Sequence, residues 1–324
     1  MGIASASSAE AIEQAAQVLG NGGLVAVPTE TVYGLAARAD DDDAVAQIFA
    51  IKGRPVEHPL IVHVLGRDEA LAFAAGLSDA AERLIAAFWP GPVTVVVQRA
   101  PGRASAAAAG LPTLALRCPR HPVARALLAR CAQSGIAGLA APSANRFGHV
   151  SPTTAAHVSD EFGPALMVLD GGDCEVGIES AIVDCSGAAP VLLRPGVVTR
   201  EQLEHALGVS LHEPDEHSPA APGTLESHYA PRATVRLMSS QEMKEALQVL
   251  PATIQGLAVY SRTAPRRHPL VQVMPDDPGA VARELFAVLR AFDARGVKLI
   301  WVEQPPDTPD WEGVNDRLQR AAAH

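Results

Sequence analysis

Short apolar runs alternate with amphipathic helical segments along most of this chain, and several runs stop abruptly at polar clusters. Few architectures accommodate that pattern. Runs of strand length cover Gly23–Val27, Leu60–Leu65, Val93–Gln98, Leu114–Arg117, Ala137–Ala141, Leu166–Leu169, Ala181–Asp184 and Val191–Arg194. Helical periodicity covers Glu10–Leu19, Asp43–Ile51, Ser78–Phe88, Pro122–Cys131 and Thr153–Asp160. Such interleaving predicts an α/β fold with a large, mixed sheet. The polar blocks PTET, CPRHP, PSAN and RPG follow or close these runs. In open α/β sheets ligands gather beyond strand ends, so these blocks are where chemistry is expected.

The pattern changes near Gly208. From there to Pro231 the chain is rich in Pro, Ser, Glu and His, without periodicity, and reads as a linker. Strand-like segments Thr234–Leu237, Gly256–Tyr260, Leu270–Val273 and Lys298–Val302 then alternate with helical segments Gln241–Gln248, Pro278–Ala294 and Trp311–Ala322. This predicts a small second α/β domain of ordinary size. The expected organisation is a domain over 1–207, a linker over 208–231 and a second domain over 232–324.

Composition narrows the function classes. The chain has 324 residues, 48% of them hydrophobic, enough for a substantial core, and a formal charge of -10. That acidic total argues against broad nucleic-acid binding, though a local cationic pocket for a small anion remains open. Cys118, Cys131, Cys174 and Cys185 show no CxxC spacing, which points away from zinc or redox motifs. No apolar run has membrane-spanning length, and nothing at the start reads as a secretory signal, so a reducing cytoplasm is the expected compartment.

Phosphate-loop, GxGxxG, HExxH and GxSxG motifs are absent from the sequence. What remains is a scattered cationic and hydroxyl set. Lys52 is the only lysine in the first 243 residues, in a chain with three Lys and 23 Arg. If extended, KGRP would turn Lys52 and Arg54 to one face, suited to a polyphosphate; the structural alternative is a solvated helix end. His63 in LIVHV is either a core histidine or a pocket residue. Arg117, closing LALR, can fork a carboxylate or make an internal ion pair. Ser143 and Asn145 of PSAN, Ser151 of SPTT, Ser180 of GIES and Arg194 of LRPG carry the same ambiguity between ligand contact and turn or cap.

PTETVYGL, KGRP with HPLIVHV, LRCPRHP, PSAN, SPT, GIES and LRPG occur here in one order, and together they resemble the YrdC-like family of threonylcarbamoyl-AMP synthases. The resemblance spans roughly residues 10 to 206. The linker ending SHYAP and the added domain resemble the longer, two-domain form. It implies a YrdC-like open twisted sheet around a deep positive cavity, with a smaller Rossmann-like C-terminal domain. The implied reaction joins L-threonine, bicarbonate and ATP into threonylcarbamoyl-AMP and pyrophosphate, for threonylcarbamoyladenosine modification of tRNA. Mg²⁺ would accompany ATP, held mainly by phosphates. The product would pass to tRNA threonylcarbamoyl transferase proteins, with tRNA contact itself weak or indirect.

Carried over by position, Thr31, His63, Arg117, Ala141 and Ser180 would surround threonine. Lys52, Arg54, His58, Thr113, Ser143, Asn145, Ser151 and Arg194 would face ATP, although many members of the family carry asparagine where His58 stands. Lys52 and Arg54 would also carry catalysis, by neutralising the phosphates. His228 and Tyr229 would fold over the cavity from the linker. Three rival readings are an RNA-binding protein using the positive cavity, a carbamoyl-transfer module, and a paralogue of other role that shares the fold and only part of the signature. The second is disfavoured because its paired CxxC motifs are missing, the third because both Lys52/Arg54 and Ser143/Asn145 are present.

Overall fold

The computed structural model describes residues 2–5, 8–225, 228–250, 254–264 and 270–323; Glu226 and Ser227 of the expected linker lie outside these. The first half runs β1 (Ile3–Ser5), α1 (Ala9–Gly20), β2 (Val25–Val27), β3 (Gly34–Arg38), α2 (Asp42–Lys52), β4 (Ile61–Val64), α3 (Arg67–Ala70), α4 (Asp79–Phe88), β5 (Val93–Gln98), β6 (Thr113–Arg117), α5 (Pro122–Gln133) and β7 (Gly138–Ala140). It continues through α6 (Ala155–Phe162), β8 (Met167–Asp170), β9 (Ala181–Asp184), β10 (Val191–Arg194) and α7 (Arg200–Leu207). After the linker come β11 (Thr234–Met238), α8 (Ser240–Val249), β12 (Leu257–Ser261), β13 (Val271–Val273), α9 (Pro278–Ala294), β14 (Leu299–Glu303) and α10 (Glu312–Ala322).

Ten strands form one mixed sheet in the order β1-β8-β2-β3-β7-β4-β6-β5-β9-β10. A second sheet of four parallel strands has the order β11-β14-β12-β13. Both expected architectures are therefore present, in a two-domain layout. Three elements depart from the sequence reading. β3 pairs antiparallel with β2, so the polar stretch Thr29–Tyr33 is the turn of a hairpin rather than a free strand end. α7 is a full helix, started by a reciprocal cap between Thr199 and Gln202. β1 has only three residues, too few to show a period, and is held by parallel pairing with β8.

Strand alternation divides the large sheet's work. Leu60, Val62 and Val64 turn to the main core, with Val93, Val95 and Val97 of β5 and with the packed faces of α2, α4 and α7. Ile61, Val96, Ala115, Ile182 and Leu193 turn to the opposite face. On that side Ala221 of the linker packs against them. Val32, Val150, Ile178 and Tyr229 join the apolar core of the second domain, among Val281, Leu285, Phe286 and Leu289 of α9. The domains also meet backbone on backbone: a Cβ at Gly313 of α10 would lie 2.5 Å from the carbonyl oxygen of Gly196, and one at Gly177 would lie 2.4 Å from that of Ala282 in α9. Among the described residues, no helix is long and apolar enough to cross a membrane.

Candidate active site

A narrow crevice lies between that sheet face and the linker. It lies across a sheet face, not beyond one edge, because β4 and β6 are parallel while β7 runs against β4. In such a mixed centre the strand ends do not share an edge.

α2 carries the first group of cations. Asp41 caps its start by accepting from the Ala44 amide at 3.0 Å, and Gly53 ends it in the left-handed region at φ 63°. That reversal leaves Lys52 on the last turn and sends Arg54 into the crevice. The Lys52 ammonium donates to the carbonyl oxygens of Ser143, at 2.6 Å, and Asn145. The chain's isolated lysine thus pins the PSAN loop to α2, a three-donor role suited to a compact ammonium. Burial, and then Arg54, press its pKa well below the usual lysine range. Arg54 donates to the Pro59 carbonyl at 3.0 Å and lies 5.6 Å from the centre of the Phe147 ring. Burial brings its pKa down to about 10, with Arg194 adding to the fall.

β4 and β6 carry the second group. His63 and Arg117 are register partners. The Arg117 guanidinium makes a 2.7 Å ion pair with Glu30 and donates to Thr31 Oγ1 at 2.8 Å and to the Gly91 carbonyl at 3.2 Å. The internal ion pair anticipated as an alternative is therefore real, and Arg117 also lines the crevice. Burial, reinforced by Arg117, pushes the His63 imidazole down to about 3, so it is neutral at physiological pH.

β9 and β10 carry the third group. Ser180 Oγ is 2.8 Å from Thr94 Oγ1. Arg194 donates to the Ser180 carbonyl at 3.1 Å and to the linker carbonyl of Pro222 at 2.8 Å. It joins the crevice wall to its cover.

The linker supplies that cover. Pro222, Gly223, His228 and Tyr229 line the crevice. Tyr229 stands at φ 60°, a region costly for a side chain with a Cβ, and stacks on Phe286 of α9 at 5.5 Å between centroids. Its hydroxyl and the Asn145 Oδ1 atom are buried without a hydrogen-bond partner among the described residues. Buried polar atoms left so are uncommon, and they cluster here beside the crevice.

Of the residues singled out in the sequence, Thr31, Arg54, His63, Arg117, Ala141, Ser143, Ser180, Arg194, His228 and Tyr229 line one crevice. Lys52, His58, Thr113, Asn145 and Ser151 are not part of that lining. Asn145 of the PSAN loop and Lys52 at the end of α2, bonded to that loop, sit behind it. His58 packs against Phe147 with centroids 5.4 Å apart. Thr113 begins β6, four residues from Arg117 and on the same strand face. Ser151 is fully buried and donates to Glu179.

Two carboxylates were missed, although PTET and GIES contain them. Glu30 orients Arg117. Glu179 lines the crevice, and its other oxygen accepts from Arg317 of α10 at 2.9 Å. Arg317 has no local sequence signal; only the docking of α10 brings it here.

Buried cations, hydroxyls and a neutral histidine, converging under a cover from a second domain, define an α/β enzyme that handles small anionic substrates. A Sua5/YciO/YrdC family model, described as telomere recombination, matches residues 17–196, and a model described as threonylcarbamoyl-AMP synthase, C-terminal domain, matches residues 198–323. The chain belongs to this family of threonylcarbamoyl-AMP synthases, in its two-domain form. It is 37% identical to the threonylcarbamoyl-AMP synthase of Bacillus subtilis, over 96% of this chain and 92% of that protein. Identity to the Pyrococcus abyssi enzyme of the same name is 34%, over 97% of this chain and 94% of that one. The crystal structure of P. abyssi Sua5 complexed with L-threonine superposes with a TM-score of 0.86 at 34% identity, covering 96% of this chain and 94% of that chain. A P. abyssi Sua5 variant with an adjacent His and Tyr replaced by alanine superposes at 0.87 with 33% identity, covering 96% and 92%.

Proposed function

We propose that this chain synthesises threonylcarbamoyl-AMP, releasing pyrophosphate, from L-threonine, bicarbonate and ATP, as a nucleotidyltransferase serving tRNA modification. The convergence of Arg54, Arg117 and Arg194 on one buried crevice carries this reading. The threonine amine and bicarbonate combine to a carbamate with loss of water, and a carbamate oxygen attacks the α-phosphorus of ATP, breaking its bond to the departing pyrophosphate. The nucleophile is the substrate's own anion, so the protein's task is to let two anions approach. Fixed cations in a dry site supply that, together with orientation.

In this reading Arg117, held by Glu30, receives the threonine carboxylate. Thr31, the neutral His63, the Ala141 carbonyl and Ser180 surround the rest of the amino acid. Arg54, Arg194 and Ser143 face the nucleotide. Lys52, Asn145 and Ser151 support that wall, with His58 and Thr113 nearer its margins. Pro222, Gly223, His228 and Tyr229 of the linker close over the site and keep water from the mixed anhydride. Glu30 and Glu179 are committed to arginines, and the described residues hold no metal-ligating cluster of three His, Cys, Asp or Glu. Mg²⁺ would accompany ATP, held mainly by its phosphates and water, and no step here runs through it.

The product would be consumed by tRNA threonylcarbamoyl transferase proteins in the cytoplasm. An adenylate assay with each substrate omitted in turn tests the proposal. Pyrophosphate and adenylate should form only when all three are present; product formed without threonine or without bicarbonate would overturn it.

A further inference from the structure

Arg317 is the largest fully buried side chain among the described residues. It extends from α10 of the second domain into the wall of the first. Its Nε donates to Glu179 Oε2 at 2.9 Å, and its two amino groups donate to the Glu179 carbonyl at 3.1 Å and the Pro195 carbonyl at 3.0 Å. Asp316, beside it, accepts at 2.6 Å. On its remaining side the guanidinium lies 5.3 Å from the centre of the Tyr229 ring. The Gly196–Gly313 approach brings α10 near enough for this reach.

One cation thus touches three parts of the crevice: the GIES wall, the LRPG loop that carries Arg194, and the tyrosine of the cover. Glu179 passes the constraint on by accepting the Ser151 hydroxyl with its other oxygen. A crevice carboxylate among cations has many competing partners. Lys52 of α2, Arg194 of β10, and His228 and Tyr229 of the linker all act electrostatically with Glu179. Without a fixed partner on its outer side, Glu179 could swing to these groups and quench cations that the anionic substrates require.

We propose that Arg317 is a positioning residue of the active site supplied by the C-terminal domain: it fixes the Glu179 carboxylate against the crevice wall and seats Tyr229 above it. The second domain then completes the site itself. This inference rests on the synthase reading above.

The electrostatics supply a readout that a merely structural role would not move. Burial alone would raise the Glu179 pKa, but Arg317, then Arg194 and the Ser151 hydroxyl, hold it below the usual carboxylate range. Removing Arg317 raises it, so the acid limb of kcat should move to higher pH.

The test uses the full chain and adenylate formation from threonine, bicarbonate and ATP, for the wild type, Arg317→Met, Arg317→Lys, Glu179→Gln and the Arg317→Met/Glu179→Gln double variant. Arg317→Met should lose at least tenfold in kcat, with a smaller change in either KM, and its acid limb should shift upward. Arg317→Lys should recover part of the loss. The double variant, which leaves no orphaned buried charge and so protects the test against misfolding, should be no slower than the slower single variant. Arg317→Met within twofold of wild-type kcat, an unmoved acid limb, or multiplicative losses in the double variant would each overturn the proposal. Lack of product in the wild type would instead remove the synthase reading beneath it.

Discussion

His63 and Arg117 face each other across the parallel pair β4 and β6, and the arginine's charge helps keep the histidine neutral. A neutral imidazole beside a guanidinium can accept a hydrogen bond from an incoming ammonium or hydroxyl. An imidazolium there could not. His228, in the cover, is likewise lowered to about 3 by burial, and His157 to about 4.

These depressed histidines predict acid lability. Their folded pKa values lie below that of an unfolded histidine, so the unfolded chain binds more protons between about pH 6.5 and 3. Their contribution is complete above about pH 6.5 and is lost as pH falls through that window, at up to ~1.4 kcal/mol per pH unit for each histidine. Urea unfolding at pH 7.5 and 5.0 should show the loss, and His63→Asn should reduce it. An unchanged pH dependence in that variant would contradict the assignment.

Lys52→Ala and Arg54→Ala should each lower pyrophosphate release by about 10²-fold or more, the scale found for removing a fixed electrostatic donor. Lys52→Arg should rescue poorly, because a planar fork does not fit between the Ser143 and Asn145 carbonyls. Circular dichroism should report a folded protein in all three. Normal turnover in both alanine variants would sink the phosphate role.

Arg117→Ala should raise the threonine KM more than the ATP KM. It also leaves Glu30 buried and uncompensated, at a cost of about 3–5 kcal/mol of stability. Arg117→Met with Glu30→Gln should regain most of the stability and none of the threonine affinity, which separates the two roles by melting and kinetics. A larger change in the ATP KM would reverse the assignment.

Gly223→Ala tests the cover. A Cβ there would lie 2.1 Å from the Tyr229 hydroxyl and 2.7 Å from an Arg194 amino nitrogen, and Gly223 stands at φ 74°. The linker should be displaced from the crevice, with at least a tenfold loss of adenylate yield and a rise in AMP from hydrolysis. Chromatography of the products gives the ratio, and a wild-type ratio would show that closure does not protect the anhydride.

Much of this architecture was legible in the sequence because its strands are short, apolar and sharply bounded. β5, β9 and β10 begin and end where their apolar runs do. β3 was not legible: GLAAR is short and ends in a charge, and its pairing with β2 makes it a strand. The converging arginines could be read from blocks in sequence order, since each sits at the edge of its own strand or helix. Lys52 was expected to face phosphate, yet its ammonium bonds the PSAN backbone. Local spacing does not show that its acceptors come from a loop 91 and 93 residues away. Glu179 and Arg317, 138 residues apart, depend on the docking of two domains and leave no local trace.

The contact of Gly313 with Gly196 is main chain against main chain, with no side chain between to bend or repack. A side chain on either glycine would have to wedge that joint open, and with it the reach of Arg317 from α10 to Glu179. The seating of one lobe on the other is thus written in two residues that have no side chain at all.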